Sequence, residues 1–266
     1  MIGAAIGDIV GSRYEYHTMK QKNFPFFEKG RCFFTDDTVC TAAVIESLLD
    51  GIDPAFSLRQ WGRRYSNVDY GLHFARWLKD VSAGPYYSFG NGAAMRISPV
   101  GFLSKSEEEV VRVSDRVTKV SHDHPEGIAG ARAVSLSIFL ARLGIDKSDI
   151  RHRIGLEFGY DLSLSLDDIR SDYGYDVSCQ GTVPPALICA FEAEDFEDAI
   201  RNAVSLGGDA DTLAAITGGL AEALYAIPEA ISREGKEFLD PSLLSVFDRL
   251  YAESREDDLE TKKKRP

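Results

Sequence analysis

The chain has 266 residues, 44% of them hydrophobic, with 30 Lys and Arg against 42 Asp and Glu and a formal net charge of −12. That length can bury a large core, while the acidic balance argues against nucleic acid as the main partner, because phosphate backbones are held by clustered Lys and Arg. Four cysteines without a CxxC pair (Cys32, Cys40, Cys179, Cys189) read as reduced, buried thiols of a cytoplasmic protein rather than as a disulfide framework.

The N-terminal stretch MIGAAIGDIVGSRYEYH lacks a basic leader, and Asp8 interrupts its apolar run after seven residues. Neither a signal peptide nor a membrane span is expected. Residues 33–51, FFTDDTVCTAAVIESLLDG, set Thr35, Asp36, Asp37 and Thr38 directly before an apolar run, four oxygen-bearing side chains where a helix needs one cap. SFGNGAAMR (88–96) is a tight glycine-containing turn leading into alanine-rich helix. SEEEVVRVSDRVTKVSH (106–122) opens with a serine cap and three glutamates, the sign of charge a helix N-terminus favours. PEGIAGARAVSLSIFLARLGI (125–145) starts on proline and is apolar nearly all round, which predicts a buried central helix. FEDAIRNAVSLGGD (196–209) is amphipathic and ends at paired glycines, and a further apolar helix is predicted from Ala210 up to Pro228. Strand-like alternation is scarce, and neither a repeat nor a Pro/Ser/Gly-rich linker divides the chain. One all-α domain over residues 1–255 is expected, followed by a charged, frayed tail over 256–266. The self-repelling acidic surface favours a monomer.

GGDADTLAAITGGLAEAL (207–224) repeats the arrangement of 33–51, with Asp209, Asp211 and Thr212 at the start of an apolar helix. Capping and the helix dipole explain either cluster alone. Together they hold two carboxylates each, set between apolar segments, and burying like charges is costly unless a cation neutralises them. Carboxylates and hydroxyls without His or Cys select hard ions such as Mg²⁺, Mn²⁺ or Ca²⁺ over zinc. If the two helix starts converge, four carboxylates and two or three hydroxyls can hold one or two such ions. SHDHP (121–125) lacks the partners and spacing of a zinc site, and His124 is expected to order the loop before Pro125.

Five blocks in this order, IGAAIGDIVGSRYE, FFTDDTVCTAAV, SFGNGAAMRISPVG, VSHDHPEGIAGARA and SLGGDADTLAAITGGLAEALYAIP, resemble the ADP-ribosylglycohydrolase family, which includes dinitrogenase-reductase-activating glycohydrolases and mammalian ADP-ribosylhydrolases. The resemblance implies a single compact, orthogonal multi-helix fold whose cleft holds two divalent cations, Mg²⁺ or Mn²⁺. Carried onto this sequence, the metal ligands are Thr35, Asp36, Asp37, Asp209, Asp211 and Thr212, with Thr38 left facing its own helix backbone. Glu15 stands where the family has a glutamate beside the metals and is the expected acid/base group, with Asp36 or Asp209 as runner-up; Asp8 is expected to support the site. Ser88, Phe89, Gly90, Asn91 and Gly92 correspond to the diphosphate loop, and Ser121 and His122 to the ribose–adenine end. Arg96 is expected to tie neighbouring segments, with pairing to a substrate phosphate as the alternative. Tyr175 or Val177 is expected to line the cleft. The implied activity is hydrolysis of the C1″ bond of an ADP-ribosylated acceptor, protein-linked or small. A free ADP-ribose derivative such as an O-acetyl ester is the alternative substrate. A catalytically silent, crystallin-like protein is the alternative of another class.

Overall fold

The computed structural model describes the backbone of residues 1–263 and the side chains of 1–253; the tail expected over 256–266 lies outside the residues whose side chains are described. Helix α1 (Ile2–Ser12) is buried along its whole length. It is followed by α2 (Asp36–Asp50), α3 (Pro54–Arg64), α4 (Leu72–Lys79), a single turn α5 (Gly92–Met95), α6 (Ser98–Leu103) and α7 (Glu107–Thr118). Then come α8 (Pro125–Arg142), α9 (Lys147–Phe158), α10 (Leu166–Arg170), α11 (Cys179–Glu192), α12 (Phe196–Leu206), α13 (Ala210–Leu224), α14 (Glu229–Lys236) and α15 (Pro241–Lys263). Among the described residues there is no strand, and one isolated bridge joins Gly90 to Ser178. The fold is all-α, as the sequence predicts. Within the same residues no helix is long and apolar enough to cross a membrane.

Capping chemistry sets most of the predicted boundaries. Ser106 accepts from the Glu109 amide and starts α7, and Asp195 accepts from the Asp198 amide and starts α12. The central helix α8 begins at Pro125, with the His124 ring accepting the Glu126 amide, so His124 orders this turn as expected. Ser135 and Ser137, buried in α8, return their hydroxyls to the carbonyls of Ala131 and Ala133, which lets polar side chains sit in an apolar setting at little cost. Helix α13 stops at Leu224, short of Pro228, because Tyr225 turns extended and its hydroxyl docks 2.6 Å from the Ala193 carbonyl. All four cysteines are free and buried.

The core pair is α1 against α13. Glycines at Gly3, Gly7 and Gly11 recur every fourth residue and so share one face of α1. A Cβ on Gly7 would lie 1.9 Å from the Ala214 carbonyl oxygen, and one on Gly11 2.4 Å from that of Ala210. The two backbones are therefore in direct contact, and this fixes the start of α13 beside the end of α1.

Candidate metal centre

Asp8 points from α1 toward the start of α2 and is 0% exposed. Its carboxylate accepts from the Thr35 amide (2.9 Å) and hydroxyl (2.8 Å) and from the Thr38 amide (3.1 Å) and hydroxyl. Thr38 thus departs from the expectation that it faces its own helix: the buried Asp8 carboxylate on α1 is the stronger acceptor. Burial pushes the Asp8 pKa up to about 6, against the opposing pull of these four hydrogen bonds.

With Asp8 holding it, Thr35 caps α2 and accepts the Asp37 amide at 3.3 Å. Asp36 and Asp37 are left over from capping. Asp37 Oδ2 lies 3.4 Å from the Thr212 hydroxyl, across 175 residues of sequence, so the two helix starts converge. Its Oδ1 is buried without a hydrogen-bond partner. At the start of α13, Asp209 makes no capping bond; instead it accepts from Asn91 Nδ2 at 2.6 Å. Oxygens of Glu15, Asp209 and Asp211 lie within 4.8 Å of one another. The pKa values of Asp36, Asp37 and Asp211 are raised well above the carboxylate range, first by burial and then by neighbouring carboxylates. Burial also raises Asp209. An orphaned buried oxygen among crowded carboxylates and hydroxyls, with no sulfur or imidazole in the set, fits a hard divalent cation.

These groups floor a cleft of about 790 Å³. Glu15, just past α1, is half-buried at its edge, with the Tyr175 hydroxyl donating to it at 3.3 Å. Burial raises its pKa, and the charge of Asp209 adds to the rise. At the other end Arg96, fully buried, donates to Ser121 Oγ at 2.8 Å, and Ser121 Oγ lies 2.8 Å from His122 Nδ1. Burial, then the Arg96 charge, hold the His122 pKa well below its ordinary value. Its Nε2 is directed at the glycine loop, where a Cβ on Gly92 would lie 3.1 Å from it.

A profile of the ADP-ribosylglycohydrolase family matches residues 1–260. The chain belongs to the ADP-ribosylglycohydrolase family. It is 30% identical to an ADP-ribosylarginine hydrolase, Tri1, of Pseudomonas putida, covering 94% of this chain and 77% of that one. To human ADP-ribosylhydrolase ARH3 it is 23% identical over 94% of this chain and 93% of the relative. A solved structure of an ADP-ribosylglycohydrolase-related protein superposes with a TM-score of 0.68 at 24% identity, covering 94% and 96% of the two chains, and shares the fold.

The residues expected as metal ligands, Thr35, Asp36, Asp37, Asp209, Asp211 and Thr212, all line one cleft together with Glu15. Ser88, Gly90, Asn91, Gly92 and His122 line it too, as do Tyr175 and Val177. Two expected residues do not. Phe89 is 48% exposed, its ring beside that of His124 outside the cleft. Ser121 is buried behind His122, and Arg96 ties the segments of α5 and α7 together through it, as expected. The glycine loop is also more committed than a bare phosphate cradle: the Gly90 amide donates to Ser88 Oγ and the Asn91 amide to the Val177 carbonyl, while the Asn91 side chain serves Asp209. One wall was missed altogether. Asp69, Tyr70 and Phe74 face the cleft from the connection between α3 and α4 and from α4 itself, a segment with little periodicity to mark it; the run DYG after NV is its sole local signal.

Proposed function

We propose that the cleft binds an ADP-ribosyl group and hydrolyses the bond at C1″ of its terminal ribose with the help of two divalent cations, Mg²⁺ or Mn²⁺. The observation that carries this is the meeting of two acidic helix starts at Asp37 and Thr212, with Asp37 Oδ1 buried and unpaired. Thr35, Asp36, Asp37, Asp209, Asp211 and Thr212 would hold the ions. Bound there, hard cations would neutralise the carboxylates and orient the vicinal ribose hydroxyls. Glu15, half-buried with a pKa raised by burial, is suited to exchange a proton with the attacking water or the leaving group. The remaining carboxylates stabilise positive charge developing on the sugar ring, as carboxylate pairs do in glycosidases. His122 Nε2 and the Ser88 hydroxyl offer polar contacts further along the cleft.

Titration calorimetry of metal-free protein with ADP-ribose, with and without Mg²⁺ or Mn²⁺, tests the reading. Metal-dependent binding that disappears in Asp209→Ala is expected; binding indifferent to metal, or none, would refute it. Glu15→Ala should keep metal-dependent binding while kcat falls about 10²-fold or more, the usual contribution of a positioned acid or base. A panel of arginine-, serine- and acyl-linked ADP-ribose then finds the acceptor.

A further inference from the structure

One exposed lysine, Lys20, gathers three segments. Lys20 Nζ donates to the carbonyl oxygens of Arg170 (2.8 Å), Tyr173 (2.7 Å) and Leu206 (2.6 Å). All three ammonium protons are used, and every acceptor is backbone. Arg170 and Leu206 are the last residues of α10 and α12, whose terminal carbonyls have no partner within their own helices and favour a cation. Each tied segment carries a cleft-lining residue close by in sequence: Glu15 precedes Lys20, Tyr175 follows Tyr173, and Asp209 follows Leu206.

The paired glycines before Asp209 make this junction possible. Gly207 and Gly208 both have positive φ, 70° and 73°, a region side chains disfavour. They also leave room for both neighbouring loops. A Cβ on Gly207 would lie 2.6 Å from Thr18 Cγ2, and one on Gly208 2.5 Å from the Gly174 carbonyl oxygen. On the cleft side the same two loops touch again, through the Tyr175 hydroxyl and Glu15.

We propose that Lys20 is a positioning residue, whose ammonium, caged by three backbone carbonyls, sets where Glu15 and Tyr175 stand relative to Asp209. The inference rests on the reading of Glu15 as the proton-handling group. The ligands on α2 and α13 are held by their own helices and by Asp8 and Asn91, so the cage governs Glu15 more than the metals.

Lys20→Met keeps the aliphatic stem and removes the donors. Its kcat should fall about ten-fold or more, in line with the loss of at least one hydrogen bond's net contribution, while KM and the Mn²⁺ titration midpoint stay within about two-fold. Amide hydrogen exchange should accelerate in residues 15–20 and 171–176 and stay unchanged in α1 and α13. Lys20→Arg should recover part of kcat, and Lys20→Ala should gain activity on addition of n-propylammonium, which leaves the wild type unaffected. Unchanged kcat with unchanged exchange in Lys20→Met overturns the proposal. So does a uniform rise of exchange across the chain with KM and kcat worsening together, the signature of general destabilisation. Because exchange needs no turnover, an inert wild type whose Lys20→Met variant still loosens these two segments would refute the hydrolase reading and leave the cage standing.

Discussion

The starts of α2 and α13 carry the same signature, two aspartates and a threonine ahead of an apolar helix, yet they are built in opposite ways. At α2 the cap works as a cap: Thr35 accepts the Asp37 amide and is itself gripped by Asp8, so the aspartates that follow are free of structural duty. At α13 the residue in the cap position, Asp209, gives up capping and is turned by Asn91 toward the other carboxylates. One start is organised from behind by a buried acid, the other from the side by an amide. Surplus oxygen at a helix start therefore has two distinct origins, an additional residue or a diverted one, and only the hydrogen-bond partners distinguish them.

The strongest challenge to this comparison removes one oxygen from each start. Asp37→Ala and Asp209→Ala should each lower metal-dependent kcat/KM by about 10³-fold or more, since bound cations contribute several kcal/mol to charge stabilisation. A variant that keeps substantial turnover would show that its helix start lies outside the centre. The supports come next and should behave unequally. Asp8→Ala strands the buried amides of Thr35 and Thr38 and should cost about 3 kcal/mol of stability in urea unfolding, besides weakening metal binding. Asn91→Ala leaves Asp209 able to swing back to its own helix, so its stability cost should stay near 1 kcal/mol while Mn²⁺ affinity falls about ten-fold. Equal stability losses would dissolve the distinction between support from behind and from the side.

A last effect concerns pH. Asp8 has its pKa raised from 3.8 to about 6, so the folded state holds a proton that the unfolded chain has already released. That contribution is fully present below about pH 4 and is lost as pH rises through 6, about 3 kcal/mol over the window. The raised values of Asp36, Asp37 and Asp211 act in the same direction. Metal-free protein should thus unfold at lower urea as pH rises toward 7, and saturating Mn²⁺ should reverse the trend, because the ion competes with protons for the same oxygens. A metal-free protein that grows more stable over this window would contradict the crowding of the carboxylates.

Local chemistry was the legible part of this chain. Ser106 and Pro125 announce their helices because caps and prolines act within a few residues, and the excess of oxygen over capping need at Thr35–Asp37 and Asp209–Thr212 could be counted directly. What could not be read were relations between distant segments. Nothing in the neighbourhood of Thr38 says that a stronger acceptor than its own backbone waits on α1, and nothing near Asn91 marks its side chain as serving Asp209, 118 residues on. The Asp69 wall escaped for a different reason: an irregular connection is given its shape by what it packs against, and it carries no period of its own.

The glycine face of α1 bears on how this site can vary. Where side chains separate two helices, substitutions of different volume shift their spacing by degrees. Between Gly7 and Ala214 only backbone atoms meet, so the interval between the Asp8-supported start of α2 and the start of α13 is gauged by atomic radii. Such a spacer has no adjustable setting. A single added methyl group at Gly7 would have to displace an entire helix.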